Sequence, residues 1–140
     1  MLFWALIEGD EYMKDKVFLG GTCNESTWRK TLVTMLRVDY FDPVVDDWTE
    51  ESIKIEDMQK QVCKYHLYVI TKEITGFYSI AEAVYDACII PKRTLFCVLY
   101  NGMNEGQRRS LQAVETLITK CGANIFHNLS DIAGFLNSRK

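Results

Sequence analysis

The sequence lacks any apolar run near the ~20 residues that cross a bilayer as a helix. Its start, MLFWALIEGDEYMKDK, has neither a basic n-region nor a small-residue cleavage site. Neither a membrane span nor a secretory leader is therefore expected. Basic clusters are missing too: Lys92–Arg93 and Arg108–Arg109 are only pairs, and the formal net charge is −3. A nucleic-acid polymer needs clustered Lys and Arg to meet its phosphates, so no such partner is expected. The two histidines, His66 and His127, form no H-x-x-x-H pair, and the five cysteines contain no C-x-x-C. No metal signature results. The odd cysteine number, with Cys88 and Cys97 inside apolar runs, reads as free thiols in a reducing compartment, the cytoplasm, rather than a disulfide framework. Neither G-x-x-x-x-G-K-[ST] nor G-x-G-x-x-G occurs, which removes the Walker P-loop and the dinucleotide fingerprint.

What is present is an alternation. With 48 % apolar residues, the chain can bury the core of one domain. KVFLGGT (16–22) reads as a buried strand ended by two glycines, and STWRKTLVTMLR (26–37) has helical apolar spacing. VDYFDPVV (38–45) reads as a strand broken by Pro43. DDWTEESIKIEDMQKQVCK (46–64) opens as a turn and continues as an acidic amphipathic helix, with Ile53, Ile55, Met58 and Val62 as its apolar residues. YHLYVIT (65–71) and RTLFCVLY (93–100) are β-branched and aromatic, hence strands, with the turn and helix of TGFYSIAEAVYDA (75–87) between them. EGQRRSLQAVETLITKCG (105–122) predicts a helix with Leu111, Val114, Leu117 and Ile118 inward. ANIFHN and LSDIAGFLNS add a short strand and a last helix. Strands alternating with helices predict an α/β fold: a doubly wound three-layer sandwich with a five-stranded parallel sheet. Residues 16–140 would form this domain, and residues 1–15 an N-terminal extension or edge segment.

In such sheets ligands bind beyond the carboxyl ends of the strands. That rule selects GGTCNES (20–26), FDPVVDDWT (41–49), TKEITGFYS (71–79) and NGMNEG (101–106). Receiver-type phosphoacceptor domains share the topology, but need acidic residues where this chain has Gly21-Thr22 and Thr71-Lys72. Ser79 and Glu82 have the spacing of a capping box, in which Ser79 would bond the backbone of Glu82 and Glu82 would return the bond. The competing reading points Glu82 into the crevice as a catalytic carboxylate, with Asp57 as a second one. The glycines of GGTCNES mean either tight packing or close approach to a flat ligand, which would make Gly21, Thr22 and Asn24 contacts. Asn24 or Ser26 can instead cap the next helix. Asp46-Asp47-Trp48 is either a solvated turn with a core Trp or a base-recognition loop, and Tyr78 carries the same ambiguity.

Four markers stand at these places: VFLGGT, FDPVVDDW, YHLYVIT and above all GFYSIAEAVY, in which Gly76 and Ser79 precede Glu82 and Tyr85 follows it by three. On them the chain resembles the nucleoside 2-deoxyribosyltransferase-like family over about residues 16–127. The resemblance implies a flavodoxin/Rossmann-like fold, a nucleoside or nucleotide substrate, no cofactor, and a homodimer or larger homo-oligomer. It implies that Glu82 is the nucleophile of an N-glycosyl transferase or hydrolase. Asp57 would position the sugar or protonate the leaving base. Ser79, three residues after Gly76 where the family commonly pairs its Gly directly with Ser or Thr, would hold the 5′ end of the sugar, and Asp46, Asp47 and Trp48 would face the base. A different class stands beside it: a catalytically inactive nucleotide-binding or assembly module on the same fold, with Ser79 and Glu82 as a cap only.

Overall fold

The computed structural model describes residues 13–23 and 25–139. Most of the expected N-terminal segment, residues 1–12, and Asn24 therefore lie outside the described residues. The elements alternate as expected: β1 (Lys14–Gly21), α1 (Trp28–Val33), β2 (Asp39–Phe41), α2 (Glu50–Val62), β3 (Cys63–Ile70), α3 (Tyr78–Ile89), β4 (Thr94–Val98), α4 (Glu105–Lys120), β5 (Asn124–Phe126) and α5 (Leu129–Asn137). A single 3-10 turn, Pro91–Arg93, joins α3 to β4. All strand pairs are parallel, in the order β2-β1-β3-β4-β5.

Strand side chains alternate between the two faces of the sheet. Val17, Leu19, Leu67, Val69, Leu95 and Cys97 pack with Trp28 and Leu32 of α1 and with Ile132, Ala133 and Leu136 of α5. Tyr68, Ile70, Phe96 and Val98 face the other way, onto Ala83 and Ala87 of α3 and Leu111 and Ile118 of α4. The result is the expected three-layer sandwich.

Local chemistry moves several boundaries. β1 starts at Lys14, so it enters the segment assigned to an extension. β2 stops at Phe41 because Asp42 turns its carboxylate onto the Val44 N–H at 2.9 Å, just where Pro43 removes a ladder donor. α1 ends at Val33 in i→i+3 turns, with Met35 N–H bonding Leu32 O at 2.9 Å. α2 begins at Glu50 because Thr49 caps it: Thr49 Oγ1 accepts from Ser52 N–H, and Ser52 Oγ accepts from Thr49 N–H. The expected apolar side of α2 is not inward. Ile53, Ile55 and Met58 are exposed, and α2 buries none of its residues. Leu117 of α4 is likewise exposed, whereas Leu111 and Ile118 are buried.

Candidate functional site

The strand order reverses direction between β1 and β3, and a cavity of about 330 Å³ opens beyond the carboxyl ends of these two strands. Its walls come from four places. Gly20–Cys23 come from the end of β1 and the loop after it, held by Arg29 of α1, Pro43 and Trp48 lie between β2 and α2, and Glu56 comes from α2. The fourth wall is the start of α3 and its approach: Ile74, Thr75, Gly76, Tyr78, Ser79 and Glu82. Trp48 is 61 % and Tyr78 76 % exposed, so both aromatic rings stand at the rim.

The β1 wall is fixed by hydrogen bonds. Gly21 sits at φ +117°, where a Cβ would come 2.1 Å from the Val69 carbonyl. Its glycine is thus required by close packing of β1 on β3, the first of the two readings of this loop. Thr22 donates its N–H to Val69 O and accepts Thr71 N–H on Oγ1, both at 2.9 Å. Arg29, buried on α1, donates Nε to Leu19 O at 2.9 Å and Nη1 to Thr22 O at 2.8 Å, and Trp28 Nε1 donates to Thr22 O at 3.0 Å. Burial lowers the Arg29 pKa from its ordinary value.

The start of α3 removes the capping-box reading of Ser79 and Glu82. The residue at the N-cap is Phe77, which has no side-chain acceptor, and no side-chain cap bond forms. Ile80 and Ala81 already donate to Phe77 O, so Ser79 lies inside the first turn, two positions too late to cap. Glu82 consequently does not fold back on the backbone. It reaches across to α2, where Lys60 Nζ donates to Glu82 Oε2 at 2.7 Å, with only 14 % of the Glu82 side chain exposed. No side-chain cap meets the first N–H groups of α3, whose Tyr78 and Ser79 line the cavity wall.

Below this pair lies a buried polar network. Lys60 Nζ is 3.8 Å from Asp86 Oδ2, which also receives the Tyr68 hydroxyl and lies 2.9 Å from His66 Nδ1. His66 Nε2 is 2.8 Å from Lys60 O. Burial opposes ionisation of Asp86, but the His66 hydrogen bond and the charges of His66 and Lys60 outweigh it and lower its pKa. Burial would likewise lower Lys60, and the Asp86 and Glu82 charges raise it instead. Glu56 differs. Burial first, then the neighbouring Glu82 charge, push its carboxyl up to about 7, although Lys60 pulls the other way.

The cavity thus gathers Gly21, Thr22, Trp48, Gly76, Tyr78, Ser79 and Glu82 from the expected set. It does not gather Asp57, which is exposed on α2; Glu56, one residue earlier, faces the cavity in its place. Asp46 and Asp47 are exposed and stand outside the lining. Arg29, Glu56 and Lys60 escaped the sequence reading. A usable signal existed: Glu56 and Lys60 on α2, and Glu82 and Asp86 on α3, each stand one helical turn apart, and Lys60 is a cation that can meet both α3 acids when the helices face.

Among the described residues, no helix is long and apolar enough to cross a membrane. No curated protein matches the chain. A family model described as nucleoside 2-deoxyribosyltransferase like matches residues 14–100, which run from the start of β1 to just past β4 and include every wall of the cavity. α4, β5 and α5 fall beyond this match. With more than half its length matched by that model, its sheet of the order described and the GFYSIAEAVY segment on the cavity wall, this chain belongs to the nucleoside 2-deoxyribosyltransferase-like family.

Proposed function

We propose that the protein cleaves the base–sugar bond of nucleoside-type small molecules, as an N-glycosyl transferase or hydrolase, with Glu82 as nucleophile and Glu56 as proton donor. One observation carries this reading: a single cavity holds two carboxyl groups in different electrostatic settings. Glu82 is fixed against the Lys60 ammonium, and Glu56 is pushed up to about 7. Two carboxyls whose environments divide them in this way suit nucleophile and acid roles.

A Glu82 oxygen attacks the anomeric carbon. The bond from that carbon to the base nitrogen breaks, and its electron pair leaves with the base, which takes the Glu56 proton. A glycosyl ester on Glu82 remains. Water or a second base then attacks the same carbon and gives its proton to the Glu56 carboxylate, and Glu82 is released. Trp48 and Tyr78 offer ring faces to the base at the rim. The first N–H groups of α3 and the Ser79 hydroxyl are suited to the oxygen substituents of the sugar. Gly21, Thr22 and Gly76 shape the wall. Asp57, Asp46 and Asp47 take no part in this reading.

The exposed Ile53, Ile55 and Met58 on α2, close to Glu56, support a homo-oligomer that covers them, and sedimentation of the purified protein measures it directly.

The testing experiment is chromatography of bases released from a panel of ribo- and 2′-deoxyribonucleosides, their 5′-monophosphates and NAD, with and without added free base. Release that disappears in Glu82→Ala supports the reading, and dependence on added base distinguishes transfer from hydrolysis. Absence of release from every substrate by folded protein returns the chain to a binding or assembly role.

A further inference from the structure

The far ends of α3 and α4 carry a feature the proposed chemistry does not use. Cys88, in the last turn of α3, and Cys121, the C-cap of α4, are free thiols with their sulfurs 3.5 Å apart. The two residues are 33 positions apart, so no sequence spacing announces the pair. Cys88 is exposed and Cys121 half-buried. The other three thiols are placed differently: Cys63 and Cys97 are buried, and Cys23 is at the cavity rim.

We infer that Cys88 and Cys121 are a reversible oxidation site, closing to a disulfide that staples α3 to α4. The geometry asks little of the fold. A disulfide has its sulfurs about 2.05 Å apart, so each would move by roughly 0.7 Å. Both residues lie at helix ends, beside the 3-10 turn Pro91–Arg93 and beside Gly122 at φ +91°, rather than in the middle of a strand. The chemistry balances with a small-molecule disulfide as oxidant. The Cys88 thiolate attacks it and expels one thiol, forming a mixed disulfide. The Cys121 sulfur then attacks the Cys88 sulfur and expels the second thiol. Two protein thiols are oxidised and one external disulfide is reduced. Cys88 is the entry point because it is the more accessible and because its hydrogen bond with Cys121 raises the latter's pKa.

The staple joins two helices that already pack on one face of the sheet, and one of them carries Glu82. It would therefore restrict the unfolded chain while leaving the packing of that face in place.

The test uses the full chain and oxidised glutathione, and its readouts do not depend on any catalytic activity. The expected result is an intact mass lower by two hydrogens, a non-reduced peptide bridging residues 88 and 121, and reversal by dithiothreitol. Thermal unfolding should shift upward on oxidation in the unaltered protein and stay put in Cys88→Ser, while Cys121→Ser should retain a glutathione adduct on Cys88. A glutathione adduct that persists on Cys88 with Cys121 intact, a bridge that uses Cys23, or no reaction at all would each overturn the inference.

Discussion

The helices α2 and α3 enter the same cavity, and their N-termini are built in opposite ways. α2 is closed by a complete capping box of Thr49 and Ser52, whereas α3 starts at Phe77 with no side-chain cap at all. Only the α3 start lines the cavity wall directly, through Tyr78 and Ser79. α4, which starts away from the cavity, is closed by Asn104 and Gln107. The difference teaches that Ser-x-x-Glu has no meaning apart from helix register. The residues that look like a cap belong to a helix without one, and the two complete capping boxes use Ser52 and Gln107 at the third position, neither of them an acid. A helix end left open at a cavity is one that a ligand can complete.

The strongest way to break this comparison is Glu82→Gln. Turnover should fall on the order of 10³-fold or more, with a stability loss smaller than that of Lys60→Met, because no cap is lost and Lys60 keeps Asp86 when its bond to Glu82 weakens. A large loss of stability without loss of turnover would return Glu82 to a structural role. Next is Lys60→Met, which strands Glu82 and the buried Asp86 without their cation. A stability loss of about 3 kcal/mol in urea unfolding is expected.

Glu56→Gln sharpens the contrast between the two carboxyls. The rate should drop by about 10²–10⁴-fold. In the unaltered protein the rate should decline as pH rises through about 7, where Glu56 loses its proton, and the variant should lack that limb. The stability effect has the opposite sign. A carboxyl raised on folding is penalised once pH exceeds its unfolded value, so its contribution is lost as pH climbs from 4.5 to about 7. Glu56→Gln should thus stabilise the fold at pH 8 by about 1 kcal/mol after allowance for solvent screening, and have little effect at pH 4.

The smallest effects test the caps themselves. Thr49→Ala should cost about 1 kcal/mol, and Ser79→Ala should stay within about 0.5 kcal/mol of the unaltered protein. Equal costs at both positions would erase the distinction between the two helix starts.

The fold was legible because β3 and β4 are nearly continuous apolar runs, and because the α4 pattern is long and periodic. Glu82 was legible because its motif sits at a strand end in a parallel sheet. The second carboxyl of the cavity was one residue off, at Glu56 rather than Asp57. Neighbouring acids on a helix point about 100° apart, and which one faces the cavity depends on how α2 rolls against the sheet. The sequence reading let Ile53, Ile55 and Met58 orient α2, but these face solvent, and the helix is oriented instead by Lys60 reaching Glu82 and Asp86. Arg29 was invisible for a similar reason. Its shortest hydrogen bonds go to backbone carbonyls, which no side-chain pattern encodes.

Those carbonyls have a thermodynamic consequence. Thr22 O already accepts two hydrogen bonds, from Trp28 and from Arg29, and Thr22 itself is bonded through its N–H to Val69 of β3 and through its hydroxyl to Thr71 just beyond it. This wall of the cavity loses its conformational freedom when the chain folds, before any ligand arrives. A molecule that docks against it loses no affinity to loop ordering, and the entropic cost of recognition falls on the opposite rim, at Trp48 and Tyr78.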